Sequence, residues 1–334
     1  MQDLRDKTYV ELLEIGKASD IRPYKMTAVF QMIHAGLKHD ISDLTGLSLD
    51  ERTRLSDKYT IAYLDAATML SDNTSRKAAF KLNDGCMVEA VLLPFEKGRN
   101  TVCISSQVGC PIGCTFCATG KLGFTRNLTT GEILSQVYFF AQKHAISNIV
   151  YMGMGEPFMN YDNVIKSAAI LNDHKGQNIA ARKLIFSTVG IPAMIRKLAL
   201  EEKQFRLGWS LASPFDDVRK KLIPLNNLAP IKDVVAAIVE YQQKTKRRVT
   251  IEYVVLGGIN DRLEDCAALA KIAKSFDSHV NLIPYNANPA ANFLPGNVDR
   301  LLDMLMKANV TTTVRRSMGT EIQAACGQLA GGKE

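Results

Sequence analysis

The stretch CISSQVGCPIGCTFCATG, residues 103–120, holds four of the chain's seven cysteines, at positions 103, 110, 114 and 117. Cys110, Cys114 and Cys117 are spaced CxxxCxxC. That spacing matches no common zinc pattern, in which one CxxC pair is joined by a second. Three thiolates on one short loop can hold three irons of a [4Fe–4S] cluster and leave the fourth open to a chelating ligand. Phe116, beside the last cysteine, would shield such a cluster. Buried free cysteines and a zinc site are competing readings of the same residues. Cys103, inside the apolar run TVCISS, reads by itself as a core cysteine.

Outward from this loop a rhythm sets in. Apolar, β-branched runs recur at TVCISS, NIVYMGMG, KLIFSTVG, FRLGWSLAS, VTIEYVVLGG, VNLIPYN and VTTTVRR. Between them lie stretches of helical periodicity, including TTGEILSQVYFFAQKHA, NYDNVIKSAAILNDH, PIKDVVAAIVEYQQK and LEDCAALAKIAKSF. Strand alternating with helix predicts βαβ units and a parallel sheet. Six or seven such units in order predict a partial or complete α/β barrel.

Ligands of such sheets bind at the carboxyl ends of the strands. The cysteine loop ends the first predicted strand, GMGEP (153–157) the second, Ser187 the third, Ser210 the fourth and Asn286 the sixth. Five polar features therefore converge on one rim. GMGEP lacks the G-x-G-x-x-G of a dinucleotide fold. Its glycines read either as a tight turn or as backbone closely approaching a ligand, with Glu156 accepting from an amine.

Upstream, residues to about Thr74 read as short helices capped by Asp43 and Ser48, with sparse apolar positions. SDNTSRKA reads as a polar joint, and AAFKLNDGCMVEAVLLPFEKG as a β-hairpin about Asn-Asp-Gly. The expected division is a small helical accessory unit over 1–75, a hairpin extension over 76–100 and the α/β barrel over 101–334.

At 334 residues, 46% hydrophobic and 22% charged, the chain suits one large domain with a small appendage. No apolar run approaches the ~18 residues of a membrane span, and the N-terminus is charged throughout. The expected address is the cytoplasm, with no membrane association. There thiols stay reduced and clustered cysteines point to metal or catalysis. A net charge of +7 favours an anionic partner. Basic clusters lie at VRKK (218–221), KTKRR (244–248) and VRR (314–316), although such runs are also ordinary solvated faces. Cys86 and Cys266 have no company and read as structural, while Cys326 in AACGQLAGG reads as an exposed, mobile thiol. Five histidines form no spaced pair, which leaves a Ser-His-Asp triad unsupported.

CxxxCxxC followed by a Gly-x-Gly-Glu strand end resembles the radical S-adenosylmethionine (SAM) enzymes. With CISSQVGCPIGCTFCATGKLGFTRNLT, GMGEPFMN and VRRSMGTEIQAACGQLAG, the chain is similar to the RNA adenine methyltransferases of the RlmN/Cfr type from about Met87 onward. The resemblance implies an α/β fold, a partial (β/α)6 barrel with a small N-terminal helical domain. It implies a [4Fe–4S] cluster on Cys110, Cys114 and Cys117, and two SAM molecules per turnover. The substrate it implies is carbon 2 of an adenosine in 23S rRNA, in some members also in tRNA. One SAM methylates Cys326; the other, bound to the open iron, yields a 5′-deoxyadenosyl radical that takes hydrogen from that methyl. The methylene radical adds to the base, Glu89 removes the ring proton, and Cys103 attacks Cys326 to release the product, leaving a disulfide. The cofactor is expected at Gly155, Glu156, Ser187, Ser210 and Asn286. An electron donor such as flavodoxin or ferredoxin and a monomeric state complete the expectation.

One departure stands out. The family shows Ser-Leu-His after the fourth strand, where this chain has SLASP with Ala212 in the histidine's place. The expectation is a lost cofactor contact that histidine would restore. GFTRNL and the proline of GMGEPF lean towards the C2 branch, and SLASP towards the C8, antibiotic-resistance branch. A non-catalytic RNA-binding protein and a structural zinc protein are the alternatives from other classes.

Overall fold

The computed structural model describes residues 1–331. The N-terminal helices form where their caps sit. Helix α1 (Tyr9–Ala18) and helix α3 (Leu49–Ser56) each start in a capping box, Thr8 with Glu11 and Ser48 with Glu51, so two otherwise orphaned amides are bonded at each start. Helix α2 (Pro23–His34) has proline in its first turn and buries Met26, Val29, Phe30 and Ile33. This unit is stitched to the rest of the molecule through buried polar contacts. Arg5 Nη1 donates to Ser135 Oγ at 2.7 Å, and His34 Nδ1 lies 2.7 Å from the Tyr138 hydroxyl. One apolar core runs from Leu4 to Leu329 across both parts.

The main sheet has ten strands in sequence order. Strands β1 (Ala66–Ser71), β2 (Arg76–Lys81), β3 (Met87–Phe95) and β4 (Arg99–Cys103) are antiparallel. From β4 onward every neighbour is parallel: β5 (Asn148–Tyr151), β6 (Leu184–Thr188), β7 (Arg206–Ser210), β8 (Val249–Val255), β9 (Ser278–Pro284) and β10 (Thr312–Val314). The crossovers carry α4 (Thr130–Ala141), α5 (Tyr161–Asn172), α6 (Pro192–Leu198), α7 (Asp216–Leu222) with α8 (Ile231–Thr245), α9 (Leu263–Ala273) and α10 (Val298–Lys307).

Strand order never reverses, so right-handed crossovers all place their helices on one face. The sheet then curls about its other face into an open barrel, with no switch point of a doubly wound fold. The expected partial (β/α)6 barrel is present, with a short seventh parallel strand. The helix-facing positions are apolar and buried: Phe186, Trp209, Ile251, Tyr253 and Leu282. Their neighbours Ser187, Ser210, Glu252 and Asn281 line an interior cavity of about 610 Å³. Period-two alternation explains polar residues inside such apolar runs.

The N-terminal reading needs one correction. β1 lies within the segment expected to be helical, and SDNTSRKA runs from the last residue of β1 through a turn at 72–75 into β2, so it is not a joint. Asp72 Oδ1 accepts the Thr74 and Ser75 amides at 2.7 and 2.8 Å, an Asx-type turn. β1 escaped notice because it is an edge strand whose residues are mostly exposed, Met69 and Leu70 included, so it shows no buried alternation.

Candidate active site

The end of β4 is pinned before the cysteine loop begins. Ser105 Oγ donates to the Glu89 carbonyl at 2.6 Å and accepts from the Met154 amide at 2.9 Å. This ties β3, β4 and the GMGEP segment at one rim. A ribbon pairing Gln107–Gly109 with Phe124–Asn127 then carries the loop. Gly109 is obligatory there: its φ is +73°, and a Cβ would stand 1.8 Å from the Gly123 carbonyl. The loop is clasped from two sides. The Thr115 amide donates to Leu222 O at 2.9 Å, the Ala118 amide to Gly327 O at 2.8 Å and Thr119 Oγ1 to Leu329 O at 2.7 Å.

Cys110, Cys114 and Cys117 are half-buried on the cavity wall. Burial pushes the Cys110 thiol up to about 12 and the Cys114 thiol far above its usual range, and neighbouring sulfurs raise both further. Three thiolates so placed require positive charge among them. An iron–sulfur cluster supplies it, so the donor set fits that group. Among the described residues no three Cys, His, Asp or Glu side chains converge as ligands of one ion. A polynuclear cluster, in which each thiolate takes its own iron, suits that spread better than one zinc.

GMGEP meets the loop through Gln107. Gly155 has φ +100°, and a Cβ there would come 2.6 Å from Gln107 Cβ, while Gln107 Oε1 accepts the Glu156 amide at 2.8 Å. The turn reading holds, and the close approach at Gly155 is to Gln107 on the cavity wall. Glu156 is buried on that wall, its two oxygens accepting the Phe158 and Val189 amides at 3.1 and 3.0 Å. Burial raises its carboxyl to about 7 against those hydrogen bonds. Second lone pairs remain for an ammonium. Ser187 Oγ and Ser210 Oγ stand 3.0 Å apart on adjacent strands, and Asn286 Nδ2 donates to Cys326 O at 3.3 Å. All three line the cavity.

Cys103 and Cys326, over two hundred positions apart in sequence, face the same cavity as free thiols. Burial pushes Cys103 up to about 12, with Arg315 opposing. Cys326 is exposed to the cavity but shielded by surrounding protein; its thiol too is raised by burial and opposed by Arg315. Against its own burial, the charges of Cys326, Glu252 and Cys103 raise the Arg315 guanidinium. Its Nη1 lies 3.2 Å from Met152 Sδ. The C-terminal segment is therefore packed and bonded here, where mobility was expected. Glu89 is buried beneath it, with Oε1 3.0 Å from Lys77 Nζ.

Glu89 is not on the cavity wall in this structure, and neither is Ala212. Ala212 is buried in a small apolar cluster with Ile112, Val189 and Leu222. Its φ is +60°, and its carbonyl accepts from Asn260 Nδ2 at 2.7 Å. An imidazole there must displace packed side chains, so the expected gain in cofactor binding is withdrawn. Ala212→His should instead destabilise the fold by about 1–3 kcal/mol, the usual cost of overpacking, read as a lower urea midpoint at unchanged slope.

The basic clusters divide in the same way. Arg219 of VRKK is buried, with Nη1 and Nη2 donating to the Ala229 and Val189 carbonyls at 2.8 and 2.6 Å. It holds loops together and faces no partner. KTKRR precedes β8, at the end of the barrel opposite the rim, where Arg248 pairs with Asp277 at 2.9 Å. Only VRR reaches the cavity. Arg315 and Lys77 were the functional candidates missed. VRRSMG straight after the last strand was the available signal for Arg315; Lys77 had none.

Comparison with known proteins gives a consistent placement. Residues 104–270 match the Radical SAM superfamily model. The chain is 41% identical over 337 aligned positions to a probable dual-specificity RNA methyltransferase RlmN of Thermotoga neapolitana, covering 98% of this chain and 97% of that protein. It is 41% identical to the protein so named in Thermus thermophilus, over 92% and 89% of the two chains. The crystal structure of a radical SAM methyltransferase from Sphaerobacter thermophilus superposes with a TM-score of 0.92 at 39% identity, covering 98% and 99%. A carboxyl-end rim of three clustered thiols, a Gly-x-Gly-Glu turn and two cavity-lining cysteines accompanies that likeness, and the chain belongs to the radical SAM superfamily, among the RNA methyltransferases of the RlmN type.

Proposed function

We propose that the protein methylates carbon 2 of an adenosine in 23S rRNA, with tRNA as a second substrate, and that the methyl passes through Cys326. The observation that carries this reading is that Cys326 and Cys103 line one cavity together with the three-thiol loop. Cys110, Cys114 and Cys117 would hold the [4Fe–4S] cluster the family implies, with SAM against Glu156, Ser187, Ser210 and Asn286. When bound, these groups supply a methyl donor and a 5′-deoxyadenosyl radical. Carbon 2 of adenine bears no acidic proton, so direct methyl-cation delivery fails and a carbon radical on a carrier is required.

The chain's own residues do the rest. Cys326 is the carrier, on a segment fixed by Asn286. Glu89 takes the ring proton. Cys103 displaces the modified base from Cys326 as a thiolate: the S–S bond forms as the C–S bond breaks, the carbon takes a proton to become the methyl, and the one surplus electron would pass to the cluster. The charge of Arg315 opposes the burial that raises both thiols and so favours their ionised forms. The disulfide then left belongs to the reaction cycle; both cysteines are free in this structure. Incubating reconstituted protein with SAM, reductant and 23S rRNA should give 2-methyladenosine on nuclease digestion and mass spectrometry. Finding 8-methyladenosine would move the protein to the C8 branch, and no methylated adenosine at all would end the reading.

RNA entry is supported by side chains on the same cavity. Arg99 lies over the Phe95 ring at 4.5 Å, and both line the cavity along with Arg315 and Arg316. An aromatic face beside unpaired guanidinium groups suits stacking and phosphate contact. Among the described residues none of these three arginines is in an ion pair. Arg99→Ala with Arg316→Ala should weaken RNA binding and reduce the slope of log affinity against log salt by about 1.4, two single-strand phosphate contacts. Arg247→Ala with Arg248→Ala, at the far end of the barrel, should leave that slope unchanged.

A further inference from the structure

The segment after Cys326 turns back onto β3. The Ala330 and Gly331 amides both donate to Glu89 Oε2, at 2.8 and 3.0 Å. Lys77 Nζ holds the other oxygen, Oε1, at 3.0 Å, and the two side chains are only 10% and 3% exposed. In the β2–β3 register Ala79 faces Glu89 and Lys77 faces Val91. Lys77 is thus the diagonal neighbour of Glu89 on the same face, within reach of a long side chain. Lys77 Nζ also donates to Gln323 O at 3.3 Å.

A carboxylate bonded by one ammonium and two amides has both oxygens engaged, and Oε2 is covered on the side from which the two amides approach. Both amides on Oε2 come from the chain segment that carries Cys326, four and five residues beyond it. We propose that this segment is a latch on Glu89, and that Lys77 is a positioning residue. Docked, the segment occupies Oε2. Released as RNA enters the cavity, it frees Oε2 for the ring proton while Lys77 keeps Oε1 in place. In that step the C–H bond of the base breaks, an O–H bond forms at Oε2, and the bonding pair stays on the modified ring. The latch rests on the reading of Glu89 as the base.

Hydrogen exchange of the C-terminal peptide, followed by mass spectrometry, tests it without turnover. In the resting protein the Ala330 and Gly331 amides should be protected. Glu89→Gln should speed their exchange by tenfold or more, because charge-assisted bonds are replaced by weaker ones. Lys77→Met should do the same and Lys77→Arg should restore protection. Added 23S rRNA should speed these amides in the unsubstituted protein while peptides from β6 stay unchanged. Exchange that Glu89→Gln leaves alone, or that RNA leaves alone or slows, overturns the latch. If Glu89→Gln still methylates RNA at full rate, the reading of the base fails instead, whatever the exchange shows.

Discussion

Cys103→Ala protein should accumulate covalently joined to RNA through Cys326, whereas Cys326→Ala protein should neither form that adduct nor methylate RNA. The two thiols share a cavity, but the proposed chemistry gives them opposite fates. Without Cys326 there is no carrier for the methyl, so nothing adds to the base. Without Cys103 every step up to addition survives, and the nucleophile that frees the base is gone. Alanine offers no thiolate. The adduct should appear on a denaturing gel as a mass shift removed by nuclease. Normal turnover by Cys103→Ala would reduce Cys103 to a core residue; activity in Cys326→Ala would mean the methyl never passed through it. Burial holds the Cys103 thiol at about 12, so its thiolate fraction grows roughly tenfold per pH unit below that value. Release of product by the unsubstituted protein should therefore quicken as pH rises from about 7 to 9.

Cys114→Ser should remove the iron and all activity together. Cys114 is the middle thiol of the loop, and Cys110 and Cys117 both act on it electrostatically. Anaerobic reconstitution of the unsubstituted protein should give brown material with about four irons and four labile sulfides per chain. Serine is a poor substitute for a thiolate on iron, so Cys114→Ser should retain little of either. Cys266→Ser is the control: Cys266 is buried mid-helix in α9 and should leave the iron content intact. One zinc per chain without labile sulfide would contradict the assignment.

Much of this was legible in the chain because both signals are local. Seven parallel strands are seven β-branched runs, and Ser187, Ser210 and Asn286 interrupt or follow them at the cavity face, as period two requires. The three-thiol loop is contiguous. Glu89 and the roles of Cys103 and Cys326 came from family likeness alone; nothing in TVCISS or AACGQLAGG says that they share a cavity. What stayed hidden depends on partners distant in sequence. Arg219 looks like one of a solvated run, yet its guanidinium is spent on carbonyls at 189 and 229. Lys77 is an ordinary strand lysine until the β2–β3 register sets it beside Glu89. Ala212 looked like a vacant cofactor contact because a substitution shows what is missing and not where the backbone has turned; its positive φ and apolar neighbours are visible only in the fold.

The central claim, that the methyl reaches RNA as a carbon radical on Cys326, is tested most directly with SAM carrying a CD3 methyl. Hydrogen abstraction from the Cys326-bound methyl removes one deuterium before carbon–carbon bond formation. The account predicts that methyladenosine formed after the first turnover keeps two deuteriums, and that 5′-deoxyadenosine gains one, both read by mass spectrometry. A methyl group that arrives with all three deuteriums, and 5′-deoxyadenosine with none, would contradict it.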